Sequence, residues 1–294
     1  MKASHRVCAV VLAGLLPGLP GGGFAGAAQP GPTKALVEGN TAFACDLYTQ
    51  LRDSPGNLFF SPYSISTALA MTYAGARGNT EAQMARVLHF GRGQPQLPAA
   101  FGALQRQLNA VERLTRTELN LANALWAQKG HAFLPAFLNI GKGDYQANLN
   151  LADFQTGAET ARRDINGWIA KQTKDKIRDI LPPGSLGAST RLVLADAIYF
   201  KGAWAEPFPK ARTSRQPFHL SSARQADVPL MHHFDTVKYE GNDSFQAVEL
   251  PYIGGELSLV VLLPRKIDGC AQLEAQLSPD FLSRCLGEMK SQRV

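Results

Sequence analysis

The chain has 294 residues, 45% hydrophobic and 18% charged. That is enough apolar side chain for a sizeable core, and it excludes a disordered polyelectrolyte or a mini-protein held together by bridges. Thirty Lys and Arg against 24 Asp and Glu leave a net charge of +6, spread along the chain, which argues against a dedicated nucleic-acid surface.

Residues 1–28 read as a secretory signal. Lys2 and Arg6 precede the apolar run Val7 to Leu16, prolines and glycines break it, and Ala25-Gly26-Ala27 supplies small residues for cleavage near Ala27 or Ala28. Its removal lowers the charge from +6 to +4 by taking away Lys2 and Arg6. The run is too short for a membrane span, and no later stretch reaches the length of one. A secreted protein follows, extracellular or periplasmic according to the host, with residues 29–294 as one domain. Cys8 leaves with the signal, so Cys45, Cys270 and Cys285 remain. Cys270 and Cys285 are candidates for a bridge, with Cys45 a buried apolar residue, and their spacing matches no zinc site. Asn242-Asp243-Ser244 is a glycosylation sequon in an expected surface turn.

In chain order, Asn40 is a candidate cap for a helix that buries Phe43, Leu47 and Leu51. A short strand is expected at Leu58 to Phe60, and Ser61-Pro62 opens a buried helix. Thr80, with Gln83 three residues on, reads as the start of another helix whose inner face is Met84, Val87 and Leu88. Leu119 to Trp126 alternates as a strand, and Leu134 to Ile140 reads as a short helix. Thr160 is a candidate cap for a helix with Ile165, Trp168 and Ile169 inward. The run Leu192 to Trp204 is apolar without alternation, and Asp196 is the one charged side chain between Leu192 and Phe200. It reads as an interior strand covered on both faces and flanked on both edges. Strands follow at Val237 to Tyr239, Gln246 to Leu250 and Leu257 to Leu263, and Met289 to Val294 begins another. Helices first and strands later indicate α+β.

Several of these segments resemble the serpin family. They are the run from Asn57 to Leu88, the stretch Ile165-Asn166-Gly167-Trp168 with Thr173 and Lys176-Ile177, Leu181-Pro182-Pro183, Thr190 to Trp204, and Glu249-Leu250-Pro251-Tyr252. They keep the family's order. The resemblance implies several helices packed on three mixed β-sheets, with Leu192 to Phe200 central in the largest and Leu119 to Trp126 beside it. It also implies inhibition of serine proteases, in some members cysteine proteases. The protease cleaves an exposed loop near the C-terminus, which inserts as a new strand into the largest sheet and drags the acylated protease with it.

The resemblance further assigns Ser61, Ser64 and position 196 to a hydrogen-bonded cluster below the gap where the sheet opens. Trp204 is assigned to the place where the loop first enters. The family usually carries Asn where this chain has Asp196, and an ionised carboxylate accepts hydrogen bonds without donating any. Ser61, Ser64 and Trp204 also suit plain helix capping and core packing. The Glu-, Gly-, Ala- and Thr-rich hinge of the reactive loop is not found up to Val294, nor are the family's C-terminal strands. The chain as given is therefore read as truncated before the reactive loop and not competent by the family mechanism, and a non-inhibitory or degraded member acting as a binding protein is the alternative.

Enzyme signatures are lacking: there is no G-x-S-x-G elbow, P-loop, H-E-x-x-H or dinucleotide fingerprint, and no cofactor is expected. His232-His233 would point to opposite faces of a strand and has no further His or Cys at ligand spacing, so no metal site is read. Arg86, Arg92, Arg106, Arg113 and Arg116 form a loose basic stretch, a candidate for weak polyanion binding and otherwise a solvated surface.

Overall fold

The computed structural model describes residues 9–10, 32–91, 93, 95–114 and 117–294. The two residues Ala9–Val10 form β1; the rest of residues 1–28, expected to be a signal, lies outside the described residues. Four helices follow: α1 (Pro32–Leu51), α2 (Pro62–Tyr73), α3 (Gly78–Val87) and α4 (Leu97–Leu114). α1 starts well before the expected cap Asn40, and the strand expected at Leu58 to Phe60 is not formed; Phe59 is 87% exposed. α2 begins as its sequence dictates, with Ser61 in extended conformation, Pro62 in the first turn and the Ser61 hydroxyl accepting from the Ser64 N–H at 3.2 Å. Arg77, not Thr80, precedes α3, and Val87 faces solvent while Leu88 is buried. α4 adds to the expected elements; Leu97, Phe101, Leu104, Leu108 and Val111 recur in it at helical spacing and are all buried.

Then come β2 (Glu118–Gln128), α5 (Pro135–Gly143), β3 (Asn148–Ala152), α6 (Phe154–Gln172) and β4 (Leu192–Lys201). α6 is capped by Asp153, whose Oδ1 accepts from the Gln155 and Thr156 N–H groups at 3.0 Å each, so Thr160 lies inside the helix. The strands β5 (Thr213–Ser221) and β6 (Arg224–Met231) pair as a hairpin. It escapes a hydrophobic-pattern reading because its residues are mostly exposed and carry Pro217 and Pro229, which are tolerated only in such border positions. β7 (Thr236–Gly241), β8 (Phe245–Pro251) and β9 (Ser258–Pro264) match the three late strands expected, and α7 (Cys270–Glu274), α8 (Pro279–Glu288) and β10 (Lys290–Arg293) close the chain.

The strands make three sheets, β1-β9-β8-β7-β10, β3-β2-β4 and β5-β6. With the eight helices among the described residues this is the α+β architecture expected. β2 lies antiparallel to β4 from Glu118↔Lys201 to Ala127↔Leu192, and parallel to β3. Both faces of this sheet are covered. Leu119, Leu121, Leu125, Leu192, Leu194 and Ile198 pack into the core built by α1, α2 and α4, while Ala124, Trp126, Val193 and Ala195 pack on α6 with Phe154, Ile165 and Ile169.

The expected interior position of Leu192 to Phe200 needs correction. β4 is covered above and below, but β2 is its one strand neighbour among the described residues, and its sheet is not the largest. Apolar composition reports the two faces of a strand, which are side-chain surfaces; it says nothing of the edges, where backbone groups meet. The bridge expected between Cys270 and Cys285 is also absent: both are free thiols, as is Cys45. Cys285 points from α8 into a core with Cys45, Phe245 and Phe281, and burial pushes its thiol up to about 11.

Candidate functional site: the seam between α2 and β4

Asp196 sits among apolar neighbours. Alternation along β4 places it on the same face as Leu194 and Ile198, toward the start of α2, and directly across the ladder from Asn123. Burial pushes its carboxyl up to about 7, and the nearby Ser64 hydroxyl pulls it only part of the way back. That hydroxyl is itself buried without a regular hydrogen bond, as are Asn123 Oδ1 and the Tyr145 hydroxyl. The Asn123 amide donates to the Tyr145 carbonyl at 3.3 Å, leaving Oδ1 an acceptor without a donor. A protonated carboxyl is such a donor and an ionised one is not. Tyr63 completes the cluster. Burial, and the negative charge of Asp196, hold its hydroxyl above the usual phenol range, and it donates to Gln105 Oε1 at 2.8 Å.

The structure therefore brings Ser64 and Asp196 together and gives Ser61 the capping role at the helix start. It adds Asn123, Tyr63 and Tyr145, which sequence reasoning missed. Asn123, within the mostly apolar run Leu121 to Ala127, was the available signal.

On the opposite face α6 is fastened to the segment leading into β4. Asn166 donates to the Leu181 carbonyl at 2.9 Å and accepts from the Leu181 N–H at 3.0 Å, and Arg162 donates to the same carbonyl at 2.7 Å. Buried Thr173 donates to the Ile169 carbonyl at 2.8 Å and accepts from the Ile177 N–H at 3.1 Å. These bonds hold Lys174 and Asp175 at φ 48° and 62°, a left-handed conformation that side-chain-bearing residues adopt only when their surroundings fix it. Asn166, Thr173 and Leu181 are among the residues that carried the family resemblance, and here is their physical use.

Trp204 lies just beyond β4. It bridges to Tyr252 and stacks on its ring, centroids 4.6 Å apart and planes 12° from parallel. The Ala205 N–H donates to the Pro251 carbonyl and the Ile253 N–H to the Ala203 carbonyl, both at 2.9 Å. Gly202 allows the close approach: a Cβ there would meet the Tyr252 ring at 2.5 Å. Asn242 lies exposed in the β7–β8 turn, its Oδ1 accepting from the Ser244 and Phe245 N–H groups at 2.9 and 3.1 Å. Of the loose arginines, Arg86 and Arg106 are exposed on α3 and α4; the side chains of Arg92, Arg113 and Arg116 lie outside the described residues.

A layered α+β chain with a sheet clamped on one face, a polar seam on the other and a bare strand edge has close counterparts. The family model described as Serpin (serine protease inhibitor) matches residues 38–294, and the chain belongs to the serpin family. It is 42% identical over 246 residues to the leukocyte elastase inhibitor of Xenopus tropicalis, covering 81% of this chain and 65% of that protein. Against the Homo sapiens leukocyte elastase inhibitor the figures are 39% over 255 residues, 84% and 66%. The chain thus spans about two thirds of the length of these relatives. The structure of ovalbumin from emu superposes with a TM-score of 0.83 at 32% identity, covering 88% of this chain and 72% of that one. Among the described residues no helix is long and apolar enough to cross a membrane.

Proposed function

We propose that this chain acts in serpin-type inhibition of serine proteases, as the part that receives the inserting strand, and that it is secreted. The observation that carries the reading is the outer edge of β4, an interior-type strand covered on both faces but bare of a strand partner among the described residues. Such an edge presents unpaired N–H and C=O groups in register for one more strand. Ser61, Ser64 and Asp196 lie where α2 meets that strand, so movement of the sheet against α2 must pass through a cluster whose buried polar atoms are poorly satisfied. Trp204 marks the end of β4 at which an incoming segment would begin to pair. No catalytic group is assigned.

Residues 29–294 contain no Ala- and Thr-rich hinge. This segment by itself therefore receives a strand without trapping a protease. The test uses two additions to the purified chain. An extended Ala/Thr peptide of about ten residues, the length of β4, should raise Tm in a concentration-dependent way, and a scrambled peptide carrying proline should not. An elastase-type serine protease should form no SDS-stable adduct with this chain. No shift with the peptide contradicts the receiving edge, and a stable adduct contradicts the division of labour. N-terminal sequencing of secreted protein should find Ala28 or Gln29 first; a product that keeps Met1 contradicts secretion through this signal.

A further inference from the structure

The cavity beside Trp204 is about 230 Å³ in volume and carries a set of groups that the inhibitor reading does not use. Glu206, His233 and Asp235 line it, and one ligand-capable atom from each lies within 4.8 Å of the other two. The sequence gives no hint of this. Glu206 is 27 positions before His233, and the adjacent histidines have no partner at ligand spacing. The fold makes the set by laying the segment after β4 against the connection between β6 and β7.

Three features suit this trio to a cation. The two carboxylates are not paired with Lys or Arg among the described residues: Lys238, which lines the same cavity, is ion-paired with Glu249 at 3.0 Å. Two neighbouring carboxylates concentrate negative charge that a divalent ion would offset. The ligands are also held in place from behind. The His233 ring packs on Phe208, centroids 5.6 Å apart, and Phe208 packs edge-on against Trp204 at 6.1 Å. Phe208 follows Glu206 by two residues, so the same ring contact that orients the imidazole brings the carboxylate to it. Asp235 is fixed through its backbone, which exchanges two hydrogen bonds with Val294 at 3.0 and 3.3 Å, while its Oδ1 accepts from the Thr236 N–H at 2.7 Å. Such outer support is what fixes metal ligands in a usable orientation.

We propose that Glu206, His233 and Asp235 form a binding site for a divalent transition-metal ion, with Zn²⁺ the expected occupant. One imidazole with two carboxylates suits Zn²⁺, Mn²⁺ or Fe²⁺ and disfavours Ca²⁺, which prefers six to eight oxygens, and Cu⁺, which prefers sulfur. The cavity has room for the waters that complete the coordination, about 30 Å³ each. The ion would tie the segment just past β4 to the β6–β7 connection. The site does not depend on the inhibitor reading.

The test is calorimetric titration of the full chain with ZnCl₂ at neutral pH in a Cys8→Ser/Cys270→Ser background, which removes the leader thiol and the one thiol of the three described that is not buried. The expected result is one Zn²⁺ per chain at micromolar affinity, weakened at least tenfold by His233→Ala and by Glu206→Gln, and unchanged by His219→Ala. Co²⁺ should give a visible d–d absorption band that Glu206→Gln alters. Glu206 is exposed, so that variant keeps the test decisive if His233→Ala fails to fold. No binding at millimolar Zn²⁺, binding indifferent to Glu206→Gln, or tighter binding of Ca²⁺ than of Zn²⁺ would each overturn the proposal.

Discussion

The two faces of the β3-β2-β4 sheet are built to different tolerances. On the α6 face, Asn166 and Thr173 fasten the helix end and the segment after it with bonds of 2.8 to 3.1 Å. On the α2 face, Ser64, Asn123 and Tyr145 each bury a polar atom without a regular hydrogen bond and Asp196 is held against its own charge; the α6 face buries Trp126 Nε1 in the same way. A buried polar group that is bonded adds modest stability, while one left unmet costs more than the bond would have given. One face of β4 is therefore a clamp and the other a seam, and any separation of the sheet from its helices should start at α2.

The sharpest way to break this contrast is to relieve the seam. With a carboxyl at about 7 in the folded protein against about 4 in the unfolded chain, the folded state holds a proton that the unfolded state releases between those values. Stability is therefore highest at the acid end of that window, falls as pH rises from about 4 to 7, and is level above it, a span of at most about 4 kcal/mol. Asp196→Asn should remove this slope and raise stability at pH 8 by about 2–4 kcal/mol, read from urea unfolding at several pH values. A variant that is less stable at pH 8 would mean the carboxylate is well served where it sits.

Next in size is the clamp. Asn166→Ala leaves the Leu181 N–H without its side-chain acceptor, while the Leu181 carbonyl keeps Arg162, and should cost about 1–3 kcal/mol, seen as a lower urea midpoint. Paired with it, Thr173→Val should cost about 1–2 kcal/mol, whereas Ser64→Ala, which deletes a hydroxyl with no regular bond, should be neutral within about 0.5 kcal/mol. Equal costs for the last two would erase the distinction between the faces. Ser61→Ala should lose about 1 kcal/mol as a helix cap, recovered in Ser61→Asp; no loss would place the start of α2 elsewhere.

Apolar rhythm made the faces of β4 and the strands β7 to β9 legible, Ser61-Pro62 marked the start of α2, and the placing of β2 beside β4 came from the family resemblance. Position 196 stood out because a lone carboxylate in the middle of an apolar strand is carried into the interior with its neighbours. What stayed hidden depends on partners distant in the chain. The bare edge of β4 is a matter of backbone pairing, which leaves no mark on side-chain pattern. Asn123 becomes meaningful only when the register sets it opposite Asp196, and Glu206 only when Phe208 folds it onto His233. The β5-β6 hairpin is hidden for a different reason: it is mostly exposed, so it lacks the apolar alternation by which strands are recognised.

Native-state hydrogen exchange resolved by helix measures the contrast most directly. Amides of α2 should exchange through a local opening whose free energy falls as pH rises from 5 to 7, while those in the second half of α6 exchange only with global unfolding. A common opening free energy for α2 and α6 at every pH would contradict it.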